Sequence, residues 1–149
     1  MKTMNQMSFR LSRIKSISLC ALILVISAAL LAGCGGKQLS SDFNEEEVKK
    51  AAENVISLIN KQDSEGLREI CTVQMSTALT DDVLKQVYAA IGEGGQFVKV
   101  EEMSIAGSTD KSNGEEFAVV VAKAKYELKT FTYTITFTKQ MKVAGLYYK

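Results

Sequence analysis

Between residues 129 and 139 apolar and polar side chains alternate almost without interruption, and no other stretch restricts the fold as much. Phe131, Tyr133, Ile135 and Phe137 fall in one register, while Thr130, Thr132, Thr134, Thr136 and Thr138 fall in the other. A β-strand sends alternate side chains to opposite faces, so the aromatic set must form one face of a sheet and needs a second layer to cover it. Residues 48–59 can supply that layer. Val48, Ala51, Ala52, Val55, Ile56 and Ile59 recur as one helical stripe, with Lys49, Lys50 and Glu53 off it. Helices first and strands afterwards predict an α+β fold with the N-terminal helices packed on one face of a bent antiparallel sheet.

The first helix has a legible start. Asn44 can cap it, Glu47 stands at the third helical position, Phe43 can staple onto Val48, and the acids at 45–47 suit the helix dipole. A shorter helix is predicted over 64–72, with Leu67, Ile70 and Cys71 turned inward. A third is predicted over 80–91, capped by Thr80, burying Val83, Leu84, Val87, Tyr88 and Ile91 and stopped by the glycines of 92–95. Strands are predicted over 97–106, 117–128, 129–139 and 141–148. In the first, the apolar register shifts at Glu101 and Glu102, from Val98 and Val100 to Met103 and Ile105, as a β-bulge would make it. Residues 107–114 form a polar turn ending in the hairpin signal Asn113-Gly114.

Ahead of this domain, residues 17–32 are apolar and uncharged but shorter than the roughly 20 residues a spanning helix needs. They follow the bases Lys2, Arg10, Arg13 and Lys15 and end in Leu31-Ala32-Gly33-Cys34. That ending resembles the bacterial lipobox: a small residue before the cut fits the peptidase pocket, and a thiol is the nucleophile that accepts a diacylglyceryl group. The expected organisation is a lipoprotein signal peptide over 1–33, a lipidated flexible tether over 34–42 and an α+β domain over 43–149. Cleavage between Gly33 and Cys34, followed by acylation of Cys34, would hold the domain at the outer face of the bacterial cytoplasmic membrane. Two or more acyl chains give the stable anchoring that one does not.

Composition removes several chemistries. There is no histidine, so the usual zinc sites and every histidine-based triad or relay are excluded. Of three cysteines, Cys20 lies in the leader and Cys34 at its end, so Cys71 stands alone in the domain and no intrachain disulfide framework can form. Cys71 reads as a small buried hydrophobe. The leader holds four of the 18 bases and none of the 17 acids, so the remaining 14 bases leave the rest at −3, without the basic footprint of a nucleic-acid binder. Residues 110–115 have their glycine one place early for a calcium loop. The acid pairs Asp81-Asp82, Glu101-Glu102 and Glu115-Glu116 read as solvated acids. No cofactor and no metal are expected. Six lysines against one acid over 118–149 leave two readings open, a face for anionic headgroups or an acidic partner and ordinary solvated strand faces.

Several stretches together carry a resemblance: 60–63 (Asn-Lys-Gln-Asp), 78–84 (Ala-Leu-Thr-Asp-Asp-Val-Leu), 95–100 (Gly-Gln-Phe-Val-Lys-Val), 122–127 (Ala-Lys-Ala-Lys-Tyr-Glu) and 142–147 (Lys-Val-Ala-Gly-Leu-Tyr). Over residues 44–149 the chain resembles the family called domain of unknown function 3887, found in bacterial lipoproteins and ahead of some α/β-hydrolases. The family is similar in fold to the cone-shaped nuclear-transport-factor-two-like group, so the resemblance implies a cone of that kind. It brings no active site to carry over, and no hydrolase activity is expected from it. Ser64 stands where the family often has an aromatic residue, and Tyr88 where a tryptophan is common; both would reshape a pocket.

The functional expectation is a membrane-anchored, non-enzymatic binding module that takes a small ligand in a cleft between helices and sheet, walled by Met75, Tyr88, Phe97, Tyr126 and Tyr133. An interaction module serving an envelope partner, dimeric through the threonine face, is the alternative. An enzyme would need a carboxylate and a tyrosine or lysine converging in the cleft.

Overall fold

The computed structural model describes residues 37–149; the leader, with Gly33 and Cys34, lies outside the described residues. Four helices precede four strands: α1 Glu45–Asn60, α2 Ser64–Glu69, α3 Val73–Ala78, α4 Asp81–Gly92, then β1 Phe97–Thr109, β2 Glu116–Tyr126, β3 Thr130–Phe137 and β4 Val143–Tyr148. The strands form an open antiparallel meander in the order β1-β2-β3-β4.

Asn44 caps α1 as its sequence predicts, its Oδ1 accepting from the backbone of Glu46 and Glu47 at 3.0 and 3.1 Å. The α1 stripe of Val48, Ala52, Val55, Ile56 and Ile59 is buried in one core with Phe131, Tyr133, Ile135 and Phe137 of β3, and among the strands α1 runs closest to β2 and β1. The neighbouring strand makes room for those large side chains. Ala118, Ala122 and Ala124 of β2 stand directly opposite Phe137, Tyr133 and Phe131, so small residues face large ones across the pair. The register of β1 against β2 shifts at Val98 and again at Glu101, which puts the expected bulge in place and adds a second.

Several expectations are corrected. The helix predicted over 64–72 stops at Glu69 because Cys71 is drawn into a parallel bridge with Val143: Thr72 N–H donates to the Val143 carbonyl and Val143 N–H to the Ile70 carbonyl, both at 2.9 Å. Thr72 then caps α3, a helix the sequence pattern did not suggest. Val83 is 39% exposed, and α4 buries Leu84 and Ile91 with Val87 and Tyr88 half-buried, a narrower stripe than expected. Between β1 and β2 only Gly114 is left-handed, φ 76°, whereas a two-residue hairpin turn at Asn113-Gly114 would need both residues there. A wider loop forms. Asp110 Oδ1 accepts from the Ser112 backbone and hydroxyl, and Gly114 N–H donates to the Asp110 carbonyl.

Residues 37–42, expected to belong to a flexible tether, lie against the sheet. Lys37 makes an antiparallel bridge to Gly107, whose N–H donates to the Lys37 carbonyl at 2.6 Å. Nearby, Lys139 bonds Asp42 at 2.6 Å and Glu116 at 3.0 Å, and Ser40 donates to the same Glu116. No helix among the described residues is long and apolar enough to cross a membrane.

Candidate functional site

Where α1 ends, α4 passes and β1 begins, three clefts adjoin. The central one, about 320 Å³, is lined by residues including Ile59, Asn60, Tyr88, Ile91, Phe97 and Tyr126. On one side it shares Asn60 and Phe97 with a space of about 480 Å³ bounded also by Glu53, Lys61 and Lys99. On the other it shares Gln62 and Tyr88 with a space of about 520 Å³ bounded also by Ser64, Asp81 and Lys85.

A chain of hydrogen bonds leads from the core to this cleft. Tyr126 Oη donates to Asn60 Oδ1 at 2.7 Å, and the Tyr126 and Tyr133 hydroxyls lie 2.8 Å apart. Tyr126 has one proton and gives it to Asn60, so Tyr133 donates to Tyr126. Burial, with the neighbouring phenol adding to it, pushes the Tyr133 hydroxyl far above the ordinary phenol range, and burial raises Tyr126 as well. Both are neutral donors at physiological pH. At the end of the chain, the Nδ2 of Asn60 is buried without a hydrogen-bond partner. A buried amide left unmet costs about 1–3 kcal/mol.

A family model described as "Protein of unknown function (DUF3887)" matches residues 52–146. The chain belongs to the DUF3887 family. No curated protein matches it. Among solved structures, the NMR structure of a protein from Ruminococcus gnavus ATCC 29149 is similar, with a TM-score of 0.68 at 20% identity over 75% of this chain and 96% of that one. At that identity the likeness concerns the fold of the DUF3887 domain alone.

Three of the five wall residues expected from the sequence meet in the central cleft: Tyr88, Phe97 and Tyr126. Tyr133 is fully buried, lines none of the three clefts and is linked to the central one only through its hydrogen bond with Tyr126. Met75 is half-buried on α3 against the core and lines none of the three clefts. Phe97 is 40% exposed and stands edge-on to Tyr126, ring centroids 5.6 Å apart, as an apolar wall open to the cleft.

Sequence reasoning missed Asn60 and Gln62 as site residues. Gln62 holds φ 54° in the turn that ends α1, where Gln62 N–H donates to the Ile59 carbonyl and Asp63 N–H to the Leu58 carbonyl. Glycine usually fills such a position, so a glutamine there is a strained residue at the cleft rim. Ser64 and Tyr88 touch each other: their hydroxyls are 3.1 Å apart. A small hydroxyl residue at 64 leaves room for the tyrosine at 88 and bonds its tip.

Lys85 shares a cleft with Asp81 and Tyr88, and Glu53 shares another with Lys61 and Lys99, whereas Arg68 and Cys71 are engaged away from the cleft floor. Arg68 Nη2 bonds Asp81 at 2.5 Å while its Nε donates to the Leu79 carbonyl at 2.8 Å. The Cys71 thiol donates to the Leu67 carbonyl, and burial raises its pKa against a smaller opposing pull from Lys142. No group of three or more metal-ligating acids or cysteines gathers among the described residues. The lysines of 118–149 are mostly paired: Lys123 with Glu102, Lys125 with Glu101, Lys129 with Glu93 and Lys139 with Asp42 and Glu116, while Lys142 donates to the Glu69 carbonyl. On the outer sheet face Ser104, Val121, Thr134 and Tyr147 make one row across all four strands. Thr138, expected in the exposed threonine register, is buried and its Oγ1 accepts from Lys142 N–H.

Proposed function

We propose that this DUF3887 protein is exported, cut before Cys34 and held by acyl chains on that cysteine at the outer face of the cytoplasmic membrane. There its domain, a cone of the nuclear-transport-factor-two-like kind, serves as a non-enzymatic binding module for a small ligand. The observation that carries the ligand reading is the unmet buried amide of Asn60 beside the exposed ring of Phe97. A molecule with a carbonyl or carboxylate oxygen for that amide and a flat apolar part for Phe97 and Tyr88 suits the central cleft. Binding is favoured over catalysis because the phenols of the floor stay protonated, Asp81 is committed to Arg68 and Cys71 is a buried thiol.

Native mass spectrometry of protein purified from its own membranes tests both halves. A mature chain beginning at Cys34, carrying lipid and releasing a small molecule on activation, is the expected result, with the Asn60→Leu protein keeping the lipid and losing the molecule. Lipidated wild-type protein that carries no small molecule would refute the ligand reading. A Cys34→Ala protein that is cut normally and stays equally membrane-bound would refute the anchor. A second reading, self-association or partner binding through the outer sheet face, draws support from Val121 and Tyr147, 37% and 61% exposed beside the half-buried Thr134. Sedimentation that gives a monomer unaffected by Tyr147→Glu would count against the dimer.

A further inference from the structure

From the way the chain enters the domain we infer that the β1–β2 hairpin faces the lipid headgroups and that the cleft opens on the opposite side, toward water. The inference rests on the acylation of Cys34 proposed above. Cys34 is three peptide steps from Lys37, at most about 11 Å, and Lys37 is fixed to Gly107 near the C-terminal end of β1. Lys37 itself sits at the hairpin end of β1, where its ammonium donates to Thr109 at 2.7 Å. Acyl chains on Cys34 would therefore be attached within that reach of the hairpin end.

Two rulers place the cleft at the other end. Phe97 and Gly107 are ten steps apart along β1, about 33 Å at ~3.3 Å per step, somewhat shortened by the bulges. The 16 residues of α1 begin next to Asp42, at the hairpin end, and finish at Asn60 in the cleft floor, a rise of about 24 Å. A domain fastened at one end can still lie down if its flank is attracted to anionic lipid. Here the lysines that would provide that attraction on β2 and the β2–β3 turn, Lys123, Lys125 and Lys129, are each matched by a glutamate, which leaves little field to draw the sheet onto headgroups. The hairpin loop 110–115 is polar throughout, suited to resting among headgroups rather than inserting between acyl chains. The ligand of the cleft is accordingly a water-borne molecule and not a bilayer lipid.

Ser112→Cys and Lys61→Cys, both at exposed positions, allow a fluorophore at each end of the lipidated protein in vesicles whose headgroups carry a quencher. Cys71 is buried and Cys34 acylated, so neither competes for label. Loss of most of the fluorescence at 112 with retention at 61 is expected. Equal quenching at both, or stronger quenching at 61, overturns the orientation. Protein that fails to float with the vesicles overturns the anchor and this inference together, whereas floating protein with equal quenching overturns the orientation alone. Lys111→Cys and Lys85→Cys give a second pair should either first variant fold poorly.

Discussion

Replacing Gly107 by alanine tests whether the entering chain is fastened to the sheet. A Cβ there would collide with the Gln38 carbonyl oxygen and come within 3.1 Å of its carbon and 3.3 Å of Leu39 Cα, all backbone atoms that cannot turn aside. The strand φ of Gly107 lies outside the left-handed region, so alanine suits the local conformation and the penalty comes from the contact alone. Displacing residues 37–39 forfeits the Gly107–Lys37 hydrogen bond, about 1 kcal/mol net. It also exposes the half-buried Leu39, about another 1 kcal/mol. Against this, alanine narrows the unfolded ensemble by about 0.4–1 kcal/mol. The expected loss is about 1–1.5 kcal/mol, or a Tm roughly 4–8 °C lower for a domain of this size. Thermal unfolding of a soluble 35–149 chain measures it, with Ser108→Ala, at an exposed neighbour, as the control. Tryptic cleavage after Lys37 should also accelerate. A Gly107→Ala protein with unchanged Tm and an unchanged tryptic half-life at Lys37 would refute the reasoning.

The hydroxyl chain predicts an order of severity. Tyr133→Phe leaves Tyr126 still donating to Asn60 and should cost about 1 kcal/mol, whereas Tyr126→Phe strands the Tyr133 hydroxyl and the Asn60 carbonyl together and should cost about 2–3 kcal/mol by urea unfolding; the reverse order would contradict the assigned donors. Gln62→Gly relieves the left-handed strain at the end of α1 and should raise stability by about 0.5–1 kcal/mol, read as a shift of the urea midpoint at constant slope. Burial raises the Cys71 thiol, so labelling by a thiol reagent at mildly alkaline pH should proceed only as fast as the domain opens, and rapid labelling of the folded protein would contradict this. Hydrogen bonds from Lys129 and Lys123 lower Glu93 and Glu102, those from Lys139 and Ser40 lower Glu116, and those from Ser112 lower Asp110. Folded values below the unfolded ones contribute stability above the ordinary carboxylate range, and it is lost as pH falls through the folded values. The urea midpoint should therefore decline on acidification, less steeply in high salt because Glu93, Glu102 and Asp110 are exposed and Glu116 is only half-buried.

The layers of this fold could be read from spacing because their periods are local. The α1 stripe and the β3 alternation each declare which face is buried, and the shift at Glu101 announced its bulge. What escaped depends on distant partners. Cys71 and Val143 are far apart in sequence, and their bridge is what ends α2 early and permits α3. Nothing around residue 71 signals that event. The docking of Lys37 on Gly107 is equally nonlocal, and a run of glycine, lysine and serine reads as a tether until the sheet edge is present to receive it. In the cleft, large aromatic residues were visible as candidates, and Tyr88, Phe97 and Tyr126 do converge. Asn60 was hidden because an asparagine at a helix end has an ordinary capping explanation, and only the approach of Tyr126 from the distant end of β2 gives it another role.

An amide that the fold leaves wanting also offers a practical handle for finding what fills the cleft. Any compound that supplies its acceptor binds the folded chain and not the unfolded one, so it must lift the melting point, by about 2.7 kcal/mol of added stability when present at a hundredfold excess over its Kd. Heating a library alongside the wild-type and Asn60→Leu proteins would therefore separate true occupants from general stabilisers, whatever molecule the cell itself provides.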